Sequence, residues 1–232
     1  MSEKPSPSDR LGKELAAGIK DGEIVGLGSG STVARLLPVM VKDMRARGVE
    51  AVWVPTSLQI QLVAQELSLR VAPLTSPNVV KVVDGADQVD GKLNLIKGGG
   101  GALLKEKVLL SSTKNAAIVA DEKKFAEKLC MNDVRVPIEV TPFARETATS
   151  RLKAGGSKDV RIRVDQRGYP CYSENGNMLL DALFAPVERP EQLERDLKVI
   201  PGIVEVGIFV IRPITVYRIG PDGGYESLKS GA

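Results

Sequence analysis

Over the first half of this chain, short apolar runs alternate with helix-like segments. The apolar runs, predicted to be strands, are residues 23–28, 51–57, 79–87 and 116–121. Such alternation is typical of an α/β fold, here a Rossmann-like, mostly parallel sheet with helices on both faces. Ligands of such sheets bind beyond the carboxyl ends of the strands. Because the polar motifs GLGSGST, VPTS and DGAD and the loop after AAIVAD lie at those ends, we expect a site at this edge.

After about Asp133 the pattern changes to strand, helix, two strands, helix and strand, with turn signals at RGYP and ENGN. That order resembles a small antiparallel α+β lobe of the ferredoxin-like kind. We therefore predict a catalytic α/β domain of residues 1–132 and 207–232 and an inserted lobe of residues 133–206. The segments GIFV (207–210) and ITVYRIG (214–220) are expected to rejoin the first sheet.

Composition narrows the chemistry. The 232 residues include no histidine, so acid–base catalysis near neutral pH would need carboxylates, Lys, Tyr or Cys. A net charge of only +3 does not favour nucleic-acid binding, and it is compatible with a small anionic substrate. Two cysteines, Cys130 and Cys171, indicate neither a disulfide framework nor a zinc site. No apolar run approaches the roughly 18 residues of a membrane span, and residues 1–10 lack the apolar core of a signal peptide. We expect a reduced, cytoplasmic protein with a frayed N-terminus.

The first glycine motif, Gly26–Thr32, follows a predicted strand and opens a predicted helix. Backbone N–H groups, the helix N-terminus and the hydroxyls of Ser31 and Thr32 together suit a phosphate monoester. The motif is not a Walker A loop, and it resembles the dinucleotide fingerprint only loosely. A plain glycine turn followed by a Ser/Thr helix cap explains this segment about equally well.

The carboxylates of Asp84 and Asp87 follow a strongly apolar strand, so they should project at its end. Two close carboxylates can take different protonation states and handle the hydroxyl protons of a sugar. An ordinary Asp-Gly turn is the simpler explanation of this motif taken alone.

The second glycine motif, Lys97–Ala102, holds four consecutive glycines before a helix, which is entropically costly. Its amides could bind a developing enediolate, and Lys97 could add a fixed positive charge. Glu106, in the following helix, is our candidate general base, because a carboxylate in a partly apolar pocket can take up a proton near neutrality. The alternatives are a flexible linker for the glycines and a solvated helical face for residues 105–107.

Taken in order and spacing, the motifs GLGSGSTV, VPTS, DGADQVD, KGGGGALLKEK and VADEKK resemble the type A family of ribose-5-phosphate isomerases. The resemblance continues through VPIEVTPFA, ENGNMLLD and IPGIVEVGIF, so it covers nearly the whole chain from about residue 10. It implies interconversion of ribose 5-phosphate and ribulose 5-phosphate in the pentose phosphate pathway through a cis-enediolate. It also implies that no metal or cofactor is needed, and it suggests a homodimer or homotetramer.

The resemblance also implies roles for individual residues. Glu106 matches the catalytic base. Asp84 and Asp87 match substrate-binding carboxylates, and Asp84 would help to open the furanose ring. Lys97 matches a catalytic lysine of the enediolate loop. The remaining matches are substrate-binding positions: Ser29, Gly30, Ser31 and Thr32 in the phosphate loop, Gly85 and Ala86 beside the carboxylates, Gly98, Gly99 and Gly100 in the enediolate loop, and Lys124 near the phosphate.

Three positions depart from the family pattern or match it loosely. The family more often has Glu at Gln88 and Asp at Glu174, and Lys13 is only a loose match to a phosphate-binding lysine.

Two other functional interpretations of the chain stay open at this point. One is the sugar-phosphate-sensing domain of a transcription regulator, although too few residues precede the first strand for a helix-turn-helix domain. The other is a coenzyme A transferase or a hexosamine-phosphate deaminase, although the absence of His weakens the deaminase.

Overall fold

The computed structural model describes residues 6–230, so the predicted frayed start lies partly outside the described residues, at positions 1–5. In chain order the helices and strands are α1 Pro7–Ala16, β1 Ile24–Leu27, α2 Ser31–Ala46, β2 Val52–Pro55, α3 Leu58–Glu66, β3 Arg70–Val71, β4 Val79–Gly85, β5 Gln88–Val89, β6 Leu95–Ile96, α4 Leu103–Ser111, β7 Ala116–Asp121, β8 Val136–Val140, α5 Arg145–Ala154, β9 Asp159–Ile162, β10 Met178–Leu183, α6 Pro190–Lys198, β11 Ile203–Val206, β12 Ile208–Phe209, β13 Ile214–Ile219 and β14 Tyr225–Lys229.

The described chain divides into two compact units. The first unit takes residues 6–85, 108–123 and 212–230, and the second takes residues 86–107 and 124–211. All of residues 133–206, the predicted small lobe, lie in the second unit. The domain limits proposed from the sequence remain a prediction about folding units.

The first unit is built on a seven-stranded sheet in the order β14-β13-β7-β4-β1-β2-β3. Neighbouring strands are parallel except β14, which is antiparallel to β13. Helices cover the sheet, which explains why its central strands are continuous apolar runs. Its core includes Leu27, Leu36, Met40 and Trp53, all fully buried. The predicted α/β class is therefore confirmed, and the strand ends β1, β2, β4 and β7 share one edge of the sheet.

Helix α1 begins at Pro7 and ends at Ala16. Its start is fixed by a capping box in which Ser6 and Asp9 exchange hydrogen bonds, with a proline in the first turn. At the other end, the ammonium of Lys81 donates to the carbonyls of Leu15 and Ala17. A cation is favourable at a helix C-terminus, although burial lowers the pKa of Lys81.

The second unit contains two antiparallel sheets. The larger has the order β11-β8-β10-β9, and α5 and α6 belong to the same unit, as expected for the predicted α+β lobe. The smaller has the order β12-β6-β5. The expectation that GIFV rejoins the large sheet is wrong, because β12 pairs with β6 through Ile208–Ile96 and Phe209–Leu95. Strand β13 does join the large sheet, beside β7. Among residues 6–230, no helix is long and apolar enough to cross a bilayer.

Candidate active site

The first glycine motif connects β1 to α2 and leaves the start of that helix accessible. Gly30 is the residue before the first helical turn and has a φ of 96°, a value that favours glycine. Because glycine has no side chain, it cannot cap the helix, and Ser31 and Thr32 form its first turn. The Ser29 hydroxyl lies 2.8 Å from the hydroxyl of Thr56. This end of α2 therefore offers hydroxyl groups and a helix N-terminus, which are groups that can bind a phosphate.

Asp84, at the end of β4, packs directly against this loop. Its carboxyl group is fully buried, and its Oδ1 accepts a hydrogen bond of 2.7 Å from the Gly85 amide. A Cβ atom added to Gly28 would lie only 1.8 Å from Asp84 Oδ1. Gly28 is therefore required by the close approach of a carboxylate, a role that the sequence motif did not reveal.

The second glycine motif lies in the second unit, between β6 and α4. Gly98 and Gly101 have φ values of 105° and 78°, which L-residues rarely adopt. The Gly99 amide donates to Asp87 Oδ2 at 2.8 Å, and the Asp87 amide donates to the Ile96 carbonyl at 2.8 Å. The structure thus brings Asp87 and the glycine motif together, whereas Gly99 and Gly100 are solvent-exposed.

Glu106 lies in the first turn of α4 and forms a buried ion pair with Lys97. Lys97 Nζ is 3.3 Å from Glu106 Oε2, and the two side chains are only 2% and 5% exposed. The Lys97 ammonium also lies 5.6 Å from the centre of the Phe209 ring. The alternative of a solvated helical face does not describe Glu106, although the Lys105 side chain beside it is 43% exposed.

Lys124 contacts the segment that carries the predicted carboxylates. Its ammonium donates to the Ala86 carbonyl at 2.6 Å. Ala86 is itself buried, and Gly85 is half-buried. The structure therefore places Lys124 against the DGAD motif, whereas its role toward a phosphate remains a prediction.

Gln88 and Glu174, the two positions that depart from the family pattern, have different surroundings. Gln88 is buried; its carbonyl oxygen accepts from the Cys130 amide at 2.7 Å, and its amide donates to the Met131 carbonyl at 2.9 Å. A carboxylate could accept the first bond but could not donate the second, so this position specifically suits Gln. Glu174 lies 3.7 Å from Lys105.

Sequence reasoning missed Arg163, whose guanidinium donates to the carbonyls of Gly98 and Gly99 at 2.8 and 3.0 Å. The segment RIRV looks like an exposed strand, and no local signal distinguishes Arg163 from Arg161. Within residues 6–230, no group of three or more Cys, Asp or Glu side chains is arranged to hold a metal ion.

Comparison with known proteins identifies the family. Residues 52–223 match the family ribose 5-phosphate isomerase A (phosphoriboisomerase A). A ribose-5-phosphate isomerase A of Methanosarcina acetivorans is 40% identical over 207 residues, covering 88% of this chain and 87% of that protein.

Two solved structures share the fold over almost their whole length. Ribose 5-phosphate isomerase A of Methanocaldococcus jannaschii has a TM-score of 0.86 at 30% identity, covering 97% of this chain and 98% of that chain. A D-ribose-5-phosphate isomerase in complex with phospho-erythronic acid has a TM-score of 0.88 at 33% identity, covering 96% of this chain and 97% of that chain.

Proposed function

The chain belongs to the ribose 5-phosphate isomerase A family, and we propose how its residues interconvert D-ribose 5-phosphate and D-ribulose 5-phosphate. The observation that carries the proposal is the buried ion pair of Lys97 and Glu106. A carboxylate and an ammonium are expensive to bury, and each compensates for the desolvation of the other. Such a pair, next in sequence to a glycine loop whose Gly99 and Gly100 are exposed, suits proton transfer better than it suits a structural core.

We infer that Glu106 is the general base. In the aldose-to-ketose direction its carboxylate would take the proton from C2 of the open-chain aldehyde, leaving a cis-enediolate. Protonated Glu106 would then return that proton to C1, while the hydroxyl proton on O2 moves to O1. A positioned carboxylate of this kind contributes roughly 10²–10⁴-fold to a rate.

The negative charge of the enediolate needs donors where it develops. We propose that Lys97 and the amides of Gly98 and Gly100 supply them, while Gly99 belongs to the same substrate-binding loop. Asp87, which accepts from the Gly99 amide, would bind substrate hydroxyls at the edge of the same loop.

The remaining predicted residues are assigned to phosphate binding and to opening of the sugar ring. We propose that Ser29, Gly30, Ser31 and Thr32 bind the phosphate at the start of α2, and that Lys124 adds a positive charge. Asp84 would assist ring opening beside Gly85 and Ala86. Asp84 and Asp87 are three residues apart, which limits the separation of their Cα atoms to roughly 11 Å.

We further propose that the protein works in the cytoplasm, in the pentose phosphate pathway, as a homodimer or homotetramer. The proposed reaction uses only side chains and backbone groups of this chain, so we expect activity to be insensitive to a metal chelator such as EDTA.

The decisive experiment is the variant Glu106→Gln, assayed by the ultraviolet absorbance of ribulose 5-phosphate formed from ribose 5-phosphate. We expect kcat to fall at least about 10²-fold because the amide cannot accept the C2 proton. Phospho-erythronic acid should still bind, since its phosphate contacts are intact. Glu191→Gln is the matched control, because Glu191 also lies in the first turn of a helix but is exposed. Near-normal turnover by Glu106→Gln would refute the role of Glu106.

A further inference from the structure

Arg163 makes direct contact with the glycine loop, defined here as Gly98–Gly101. It follows β9, and one nitrogen of its guanidinium, Nη1, donates to the carbonyls of both Gly98 and Gly99, at 2.8 and 3.0 Å. A run of glycines has more conformational freedom than any other sequence. A side chain that fixes two successive carbonyls of such a run therefore removes much of that freedom.

The guanidinium is itself held firmly. Its Nε donates to Asp181 Oδ2 at 2.9 Å, and Nη2 donates to Asp181 Oδ1, so the two side chains form a bidentate pair. The backbone of Arg163 is fixed as well, because its amide donates to the Leu179 carbonyl and its carbonyl accepts from the Cys171 amide. Burial works against the charge of Arg163, but Asp181 and Asp87 outweigh it and raise the pKa of the guanidinium.

Peptide geometry links the two carbonyls to two amides. In a trans peptide the C=O of one residue and the N–H of the next lie in one plane and point in opposite directions. Holding the Gly98 carbonyl therefore aims the Gly99 amide away from Arg163, and that amide does meet Asp87 on the far side. Holding the Gly99 carbonyl aims the Gly100 amide in the same way.

We propose that Arg163, anchored by Asp181, is a positioning residue that orients the Gly100 amide toward the enediolate formed during isomerisation and holds the Gly99 amide on Asp87. It does not touch the substrate; it acts through the glycine loop. The positive charge on the carbonyl side also polarises the two peptides, which strengthens their N–H groups as donors. This inference rests on the function proposed above.

A purely structural role and a positioning role for Arg163 predict different effects of its loss on melting temperature and kcat. If Arg163 only stabilised the fold, its loss would lower the melting temperature and leave kcat per folded molecule unchanged. If it orients an oxyanion donor, kcat should fall while KM changes little, because ground-state sugar does not carry the enediolate charge. Phospho-erythronic acid should then bind more weakly, because its carboxylate carries charge at the reacting end.

The test compares Arg163→Met with wild type in kcat, KM for ribose 5-phosphate, the inhibition constant of phospho-erythronic acid, and melting temperature. Removing one oxyanion donor typically costs about 10²–10³-fold in kcat. We expect a loss of about 10²-fold, a KM within about threefold of wild type, and a comparably weakened inhibitor. Arg161→Met is the matched control, because Arg161 is two residues away, is 69% exposed and pairs with Asp159; its kinetics should equal wild type.

A second variant separates stability from orientation. In Arg163→Met the Asp181 carboxylate loses its partner, and adding Asp181→Asn removes that lone charge. We expect the double variant to regain melting temperature but not kcat. If Arg163→Met does not fold, Arg163→Lys takes its place in the same comparison. Lysine cannot form the bidentate pair with Asp181 and also donate to both carbonyls.

Three results would overturn the inference. One is wild-type kcat in Arg163→Met, and another is recovery of kcat together with melting temperature in the double variant. The third is an inactive wild-type protein, which would refute the proposed function as well. An active wild type with an unaffected Arg163→Met refutes only the role of Arg163.

Discussion

Replacing Lys107 by methionine should destabilise the protein by about 3 kcal/mol. The Lys107 ammonium lies within hydrogen-bond distance of four acceptors: Glu194 Oε1 at 2.6 Å, Glu205 Oε1 at 2.9 Å, and the carbonyls of Val206 and Ile208 at 2.8 and 2.9 Å. It also lies 4.6 Å from the centre of the Phe209 ring. An ammonium has three protons, so these acceptors share them.

The size of the destabilisation follows from the buried Glu205 carboxylate that Lys107→Met would leave with fewer partners. Glu205 is only 7% exposed in its side chain, and it would keep only its hydrogen bonds from Lys198 and the Val206 amide. Removing one partner of a buried pair costs about 3–5 kcal/mol. We take the lower end because the Lys107 and Glu194 side chains are each about one-fifth exposed and water can reach them. For a chain of this size, about 3 kcal/mol lowers the melting temperature by roughly 6–12 °C.

The assay is thermal unfolding followed by circular dichroism, with Lys105→Met as the control. Lys105 is two residues away on α4, is 43% exposed and lies 3.7 Å from Glu174, so its loss should cost less than about 1 kcal/mol. Equal shifts in the two variants would refute this reasoning.

The pH dependence gives a second check. Burial alone would raise the pKa of Glu205, but Lys107 and Lys198 lower it. Its stabilising contribution is therefore present above the unfolded-state pKa and is lost as the pH falls through the folded-state value. The difference between wild type and Lys107→Met should shrink toward acid pH, and a constant difference would contradict the assignment.

Two further perturbations test other parts of the molecule. Gly28→Ala should lower kcat/KM at least about 10²-fold because its Cβ would displace the Asp84 carboxyl. The control is Gly91→Ala, whose added Cβ has room. Equal activities of the two variants in the ribulose 5-phosphate assay would contradict this role of Gly28. Burial and the nearby Glu14 raise the pKa of Tyr217 to about 12, above its unfolded value of about 10, so stability should fall as the pH rises from about 10 to 12. In urea unfolding Tyr217→Phe should show a shallower loss over that range, and an unchanged slope would contradict it.

Much of the fold could be predicted from the sequence because its signals are local. Each apolar run that became a central strand is buried on both faces, and that pattern is visible within a few residues. The glycine motifs likewise marked loops in which a backbone must turn or approach something closely. The strand pairing of residues 207–210 could not be predicted, because β12 is two residues long and its partner β6 lies more than 100 residues earlier.

The site residues likewise fall into those that the sequence could predict and those that only packing reveals. Glu106 could be proposed from its place after the glycine motif, but neighbouring charged residues in the run Lys105–Lys107 look alike in sequence. Only packing decides that Glu106 is buried against Lys97, that Lys107 is held by Glu194 and Glu205, and that Lys105 faces water. Arg163 lay outside every motif, because its role depends on carbonyls 64 and 65 residues away.

The sequence by itself thus determined the alternating α/β core, the two glycine loops and the types of residue available for catalysis without histidine. Tertiary structure alone decided which carboxylate is buried beside an ammonium, why Gly28 must lack a Cβ, and which arginine holds the glycine loop. The physical reason is range. Periodicity and turn preference act over a few neighbouring residues, whereas burial and charge pairing depend on segments brought together only when the whole chain has packed.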